Sequence, residues 1–186
     1  MNEVFYNKKV NNNSVLFLVD NDFEKNYLKL LENLMRKKQK ICSILVSNTY
    51  SNISEELVNN NINSDDHLFF IDTLTSHYHN PENIKNCFFA KSPFIKDIKK
   101  SLEIMTEKEN IDILILDSLS KILSYHENHE ILNFINFLKT NKLFINIKKY
   151  FLLYEKDNLL NQKIKLLEKD ITLFVDKKIM INKKLN

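Results

Sequence analysis

The chain has 186 residues, a formal net charge of +3 at pH 7 and no glycine, whereas average usage would give about 13 glycines at this length. The absence of glycine excludes the GxGxxG dinucleotide loop, the GxxxxGK[ST] phosphate loop and the GxSxG nucleophile elbow, because each depends on that residue. Lysine and arginine together number 27, and Arg36 is the only arginine. We interpret this bias as drift in a very AT-rich genome.

Hydropathy indicates a folded chain, since 44% of the residues are hydrophobic and 11% are aromatic, which is unlike a disordered composition. Cys42 and Cys87 lie inside apolar runs, so we expect buried free thiols rather than a disulfide framework. No secretion signal and no apolar run of about 18 residues is found. We therefore expect a cytoplasmic protein without membrane contact. It should form one domain over 1–186, with a flexible start at 1–13 and a flexible tail at 182–186.

Apolar runs alternate with amphipathic segments along the chain. In chain order, the pattern predicts strand Val15–Asp20, helix Asp22–Lys38, strand Ile41–Asn48, helix Ser51–Asn60, strand Leu68–Thr75, strand Cys87–Pro93, helix Phe94–Glu109, strand Ile111–Ser120, helix His126–Lys142, strand Tyr150–Glu155, helix Asn158–Lys169 and strand Phe174–Ile181. Continuous apolar strands between amphipathic helices are typical of a parallel sheet that is covered on both faces. The sequence therefore predicts a doubly wound α/β fold.

Ligands of such folds bind at the carboxyl ends of the strands. The polar residues predicted at these ends are Asp20, Asn48, Asp72, Ser92, Asp117 and Glu155. Among them, Asp117 follows the most apolar strand and is followed by Ser118. A buried carboxylate is costly to desolvate unless it is bound by something. Asp117 is expected either to hold Mg²⁺, as the Walker B acid of P-loop ATPases does, or to cap the next turn or helix. The motif alone favours neither interpretation.

The order of the segments over the whole chain resembles the KaiC-like branch of the RecA superfamily, in particular its small single-domain archaeal members. The resemblance runs from Val15 to Ile181 and rests on VLFLVD, ICSILVSNTYSNISEEL, LFFIDTLT, CFFAKSP, DILILDSLSKILSYHE and FVDKKI. It implies a three-layer α/β/α RecA-like fold with a mostly parallel sheet of about seven strands. It also implies assembly with copies of the chain or with a RecA/KaiC-like paralogue.

The resemblance also implies a phosphate loop after the first strand. When the loop pattern is laid on Val19–Asn26, Val19 and Glu24 occupy the two glycine positions, Lys25 matches the lysine and Asn26 replaces the Ser/Thr. Three acidic residues lie in this segment, namely Asp20, Asp22 and Glu24. Side chains at the glycine positions block the backbone conformation that the loop needs, and the acids repel a polyphosphate.

A second position that the resemblance implies is also altered. KaiC-like ATPases usually carry a glutamate at the end of the second strand, where it activates water, but this chain has Asn48 there, which cannot act as a general base. Our leading hypothesis is a non-catalytic interaction or regulatory module that binds no cofactor. One alternative is a weakly active ATPase that holds Mg-ATP with Lys25, Asn26 and Asp117. The other is a DNA-binding accessory protein of recombination.

Three further motifs have simple structural interpretations. His77 and His79 could offer imidazoles to a metal, but no Cys or carboxylate lies at standard spacing, so we interpret them as part of a solvated loop. The segment His126–Glu130 lacks HExxH spacing, and its acids fit a helix start. Lysine pairs or triplets are spread along the chain at Lys37–Lys40, Lys99–Lys100, Lys148–Lys149, Lys177–Lys178 and Lys183–Lys184. We expect most of them to face solvent, although lysines that converged on one face would favour nucleic acid.

Overall fold

The computed structural model describes residues 13–19, 22–62, 66–77, 81, 84–154 and 160–181. The expectations for the two chain termini and for Asp20, His79 and Glu155 lie outside these residues. Seven strands are present: β1 (Ser14–Val19), β2 (Ile41–Leu45), β3 (Leu68–Asp72), β4 (Cys87–Phe89), β5 (Ile113–Leu116), β6 (Lys148–Tyr154) and β7 (Lys177–Ile181). The helices are α1 (Phe23–Met35), α2 (Tyr50–Asn59), α3 (Ile95–Lys108), α4 (Leu119–Ile122), α5 (Asn128–Thr140) and α6 (Asn161–Ile171).

The sheet has the strand order β4-β3-β2-β5-β6-β1-β7, and every neighbouring pair is parallel. Two buried clusters fill its two faces. Helices α1 and α2 pack on one face, and α3 to α6 pack on the other. Residues of β5 alternate between the clusters, so that Ile113 and Ile115 face one side while Leu114 and Leu116 face the other. This architecture confirms the predicted three-layer α/β fold.

Several element boundaries differ from the sequence prediction. β4 ends at Phe89 rather than at Pro93, so Ser92 does not lie at a strand end. The predicted strand Ile111–Ser120 stops at Leu116, and the short helix α4 begins three residues later, at Leu119. The N-cap of helix α2 is Thr49, whose side chain accepts from Asn52 N–H at 3.4 Å. Neither Ser51 nor Ser54 caps this helix.

Backbone φ is positive at three described residues, Asp22 (48°), Lys38 (54°) and Asn61 (54°). Left-handed backbone is the region where glycine is normally favoured, because a Cβ atom crowds the following carbonyl there. Asp22 stands between β1 and α1, whereas Lys38 and Asn61 follow the ends of α1 and α2. A chain without glycine therefore forms these turns with residues that have side chains.

Lys149 is buried, with 1% of its surface exposed, although the sequence predicted most paired lysines to be solvated. The residue lies in β6 near the amino edge of the sheet, and its Nζ donates to the carbonyl oxygen of Phe144. Burial lowers the pKa of Lys149 to about 8, and the nearby Lys139 acts in the same direction. A lysine can be buried in this way because its long stem is apolar, and the charged residue type does not reveal this from the sequence.

Stability is expected to rise between about pH 8 and pH 10 because of Lys149. The pKa of Lys149 is lower in the folded state than in the unfolded state, so the unfolded chain binds more protons over this interval. Raising the pH removes these protons and therefore shifts the equilibrium toward the folded state. Lys149→Met should stabilise the protein by about 1 kcal/mol at pH 7 and remove much of this slope. Urea denaturation across the interval measures both effects. A Lys148→Met variant serves as the exposed control, and an unchanged slope in Lys149→Met would contradict the prediction.

None of the helices within the described residues is both long and apolar enough to cross a membrane.

Candidate functional site

Asp117 lies at the carboxyl end of β5, where the sequence placed the Walker B-like acid, and its side chain is buried. Both carboxyl oxygens accept hydrogen bonds from the segment that follows β2. Val46 N–H donates to Oδ1 at 2.8 Å, and Ser47 donates to Oδ2 through its N–H at 3.1 Å and its hydroxyl at 2.6 Å. Burial raises the pKa of Asp117 to about 6, while these hydrogen bonds act in the opposite direction. The carboxyl group is thus engaged by the neighbouring strand.

The two serines after Asp117 are also engaged within the fold. Ser118 is the N-cap of α4, and its Oγ accepts from Lys121 N–H at 3.2 Å. Ser120 Oγ donates to the carbonyl oxygen of Tyr154 at 2.8 Å and accepts from Tyr154 N–H at 2.9 Å. Since β5 lies between β2 and β6, the DSLS segment ties its own strand to both neighbours.

Asp72, at the end of β3, forms a second arrangement of this type. The residue is fully buried. Its Oδ2 accepts from Tyr50 N–H at the start of α2, at 2.7 Å, and from the Thr75 hydroxyl at 2.6 Å. Its Oδ1 accepts from the N–H groups of Leu74 and Thr75 at 2.8 and 2.9 Å. Asp72 therefore closes the turn after its own strand and fixes the start of α2.

The connection between β1 and α1 is short. β1 ends at Val19 and α1 begins at Phe23, so the glycine position Val19 is part of the strand. Glu24 and Lys25 lie in the first turn of the helix with exposed side chains, and Asn26 follows them. A phosphate-binding loop needs several backbone N–H groups that turn toward one point. Here most residues of the aligned segment belong to regular elements.

The groove beside this helix start is acidic. It lies between α1 and α2, has a volume of about 390 Å³, and is lined by Glu24, Ser47, Asn48, Asn52, Glu55, Glu56 and Asn59. Burial raises the pKa of Glu56, and the adjacent charges of Glu24 and Glu55 raise it further. Asn48 does not stand in for a base, because its Oδ1 accepts from Thr49 N–H and from the Asn52 amide, both at 2.9 Å. This environment disfavours a polyanion.

Among the described residues, no group of three His, Cys, Asp or Glu side chains is placed to hold a metal ion. The segment from His126 to Glu130 starts a helix, as its composition suggested. Glu127 is the N-cap of α5 and its N–H donates to Glu130 Oε2 at 3.0 Å. Both cysteines are free and buried, and burial raises the pKa of each thiol. The acids of the segment from His126 to Glu130 thus cap a helix, and the two thiols lie in the core.

The described geometry has a KaiC/RecA-like fold, with a seven-stranded parallel sheet between two layers of helices. Comparison of the sequence with protein-family models and with curated proteins found no match. The evidence for this class comes from solved structures.

Two solved proteins of Pyrococcus horikoshii share the fold. An uncharacterized protein, determined in complex with an unknown peptide, superposes with a TM-score of 0.63 at 12% sequence identity, covering 94% of this chain and 79% of that chain. A KaiC-like protein of the same archaeon gives a TM-score of 0.53 at 10% identity, covering 93% of this chain and 73% of that chain. At 10 and 12% identity, the structural likeness establishes the fold alone.

Sequence reasoning located Asp117 and Asp72 but missed what binds them. The partners are mainly backbone N–H groups, which no residue type reveals. One signal was available: Ser47 and Thr75, which donate hydroxyl groups, each lie just after an apolar strand, and such residues commonly satisfy neighbouring polar groups.

Proposed function

We propose that the chain is a non-catalytic interaction module that retains the KaiC/RecA-like fold and does not use ATP. The observation that carries this proposal is the engagement of Asp117. Its two oxygens accept three hydrogen bonds from Val46 and Ser47 at 2.6 to 3.1 Å. Asp117 is also 1% exposed, whereas a carboxylate in the Walker B role must reach Mg²⁺ or its bound water with an open oxygen lone pair.

The residues at the nucleotide positions do not fit Mg-ATP. Val19 lies in a strand and Glu24 in a helix, so side chains and regular hydrogen bonding replace the glycine-rich cradle. The groove next to Lys25 carries Glu24, Glu55 and Glu56, and like charges repel a triphosphate. A single lysine on an exposed helix turn does not offset this repulsion.

A role in binding other chains is supported by the fold comparison. One solved protein of the same fold was determined in complex with an unknown peptide. We infer that the present domain likewise acts by binding a polypeptide, which includes a second copy of itself or a KaiC/RecA-like paralogue. Folds of this class support many functions, so the inference needs a test on this chain.

Isothermal titration calorimetry with Mg-ATP provides that test. We expect no saturable heat up to about 1 mM nucleotide, the upper end of ordinary KM values. Lys25→Ala should leave the trace unchanged. Saturable binding with micromolar affinity, abolished in Lys25→Ala, would overturn the proposal and support an ATPase that uses Lys25 and Asp117.

A further inference from the structure

A larger groove lies on the face of the sheet that α3 to α6 cover. It runs between the start of α3 and the start of α5, has a volume of about 760 Å³, and is here named the α3–α5 groove. Its lining residues are Lys91, Phe94, Ile95, Lys96, Asp97, Lys99, His126, Glu130 and Asn133. Neither Asp117 nor Lys25 belongs to it.

Two lysines of this groove have no ion-pair partner among the described residues, whereas its acidic side chains have hydrogen-bond partners. Within the part of the chain that the structure describes, Lys91 and Lys96 are exposed and form no ion pair. The two acids, in contrast, are engaged by the fold. Asp97 Oδ2 accepts from the Ser92 hydroxyl at 2.5 Å, and Glu130 Oε2 accepts from Glu127 N–H. The lysines are therefore free to pair with a ligand, whereas each acid has one oxygen engaged within the fold.

An exposed aromatic pair borders these lysines. Phe94 is 50% exposed and Tyr125 is 44% exposed, and their ring centroids are 6.1 Å apart in an edge-to-face arrangement. The Phe94 ring also lies 5.6 Å from the ring of His126. Exposed aromatic side chains beside a concave surface are typical of sites that bind an apolar side chain of a partner.

His126 forms the inner wall of the groove. Only 8% of its side chain is exposed, and its Nε2 accepts from Ile95 N–H at 3.1 Å, in the first turn of α3. In the neutral ring this bond leaves the proton on Nδ1. Nδ1 is buried and makes no hydrogen bond, although Glu130 Oε2 lies 3.3 Å away. His126 thus links the first turn of α3 to Glu130 of α5 in the wall of the groove.

We propose that the α3–α5 groove binds an acidic peptide segment that also carries an apolar side chain. Carboxylates of the peptide would pair with Lys91 and Lys96, and the apolar side chain would pack on Phe94 and Tyr125. Lys99 sits over the Phe137 ring at 4.4 Å and supports the floor. This inference rests on the proposed function, since it names the class of partner and the surface that a polypeptide-binding module would use.

Charge favours an acidic peptide over nucleic acid. A nucleic acid presents closely spaced phosphates, and Asp97 and Glu130 inside the groove would repel them. A peptide can place separate carboxylates on Lys91 and Lys96 and avoid the two acids. The single arginine of the chain also leaves little of the arginine–guanine contact that base-specific readout commonly uses.

Fluorescence anisotropy on the full chain tests the proposal. The probe is a fluorescein-labelled peptide in which a central Leu-Phe pair is flanked by glutamates, and its counterpart has glutamine in place of glutamate. We expect micromolar binding of the glutamate peptide that weakens with salt. The groove variant Lys91→Glu/Lys96→Glu should weaken it by about tenfold or more, and Phe94→Ser should weaken it as well.

Lys37→Glu/Lys165→Glu changes the net charge by the same amount at exposed lysines elsewhere, so it should bind within about twofold of the natural chain. Circular dichroism verifies that each variant is folded. The proposal is overturned if the glutamate peptide does not bind, if the glutamine peptide binds equally, if both double variants bind alike, or if oligothymidylate displaces the peptide. The Mg-ATP titration is independent, so failure of the peptide assay and failure of the proposed function are separate results.

Discussion

Asp117→Ala is expected to lower the free energy of unfolding by about 3 kcal/mol, because it leaves the N–H groups of Val46 and Ser47 without an acceptor. Val46 is buried, so water cannot replace the carboxyl group at that position without a rearrangement. For a domain of this size the loss corresponds to a fall in Tm of about 6–12 °C. Urea denaturation followed by circular dichroism measures it.

A matched control separates this effect from the loss of any acid. Asp66 is 80% exposed and pairs with Lys85 on the surface, so Asp66→Ala should change stability by less than about 0.5 kcal/mol. An Asp117→Ala protein that is as stable as the natural chain would contradict the structural role of Asp117. That result is what a carboxylate kept for a ligand would give, because functional acids are commonly neutral or unfavourable for stability.

The pH dependence gives a second readout for the same residue. Because the pKa of Asp117 is raised to about 6, the folded chain binds more protons than the unfolded chain between about pH 4 and pH 6. Ionisation of Asp117 therefore reduces stability as pH rises through this interval. Asp117→Asn should lack this contribution.

Asp72→Ala is expected to cost about 4 kcal/mol, the larger of the two effects, because Asp72 accepts four hydrogen bonds rather than three. The change removes the acceptor for Tyr50 N–H and opens the turn at Leu74 and Thr75. Urea denaturation should show a lower midpoint with an unchanged slope, which identifies a loss of stability. Amide exchange at Tyr50, Leu74 and Thr75 should become faster.

Thr75→Val provides a graded comparison, because it deletes the hydroxyl donor at 2.6 Å and leaves the carboxyl group in place. We expect it to cost about 1 kcal/mol. Equal losses in Thr75→Val and Asp72→Ala would show that the hydroxyl, rather than the set of backbone amides, accounts for the stabilisation.

Hydrophobic periodicity predicted the layers of this fold because β5 and the strands beside it are buried on both faces and read as unbroken apolar runs. Boundaries were less accurate where apolar residues continue past a strand. Leu119 is apolar and buried like the residues of β5, yet it begins α4 because Ser118 caps that helix. Apolarity by itself does not distinguish these two conformations.

The candidate site shows a different limit. The positions of Asp117 and Asp72 follow from strand order, since parallel strands bring their carboxyl ends to one edge. Whether such an acid stabilises the fold depends on the direction of the neighbouring backbone N–H groups. Tertiary contacts set that direction. His126 was assigned from the sequence to a helix start, but its bond to Ile95 N–H joins positions 31 residues apart, which no local pattern encodes.

The turn after α1 illustrates how the amino-acid composition of a chain can affect the stability of its fold. Lys38 adopts φ of 54° two residues after Arg36, the C-cap of α1, in the left-handed region that glycine favours. Asp22 and Asn61 tolerate left-handed backbone comparatively well, whereas a lysine there carries a steric penalty of about 1 kcal/mol. A composition without glycine thus carries a small, localised cost to the folded state.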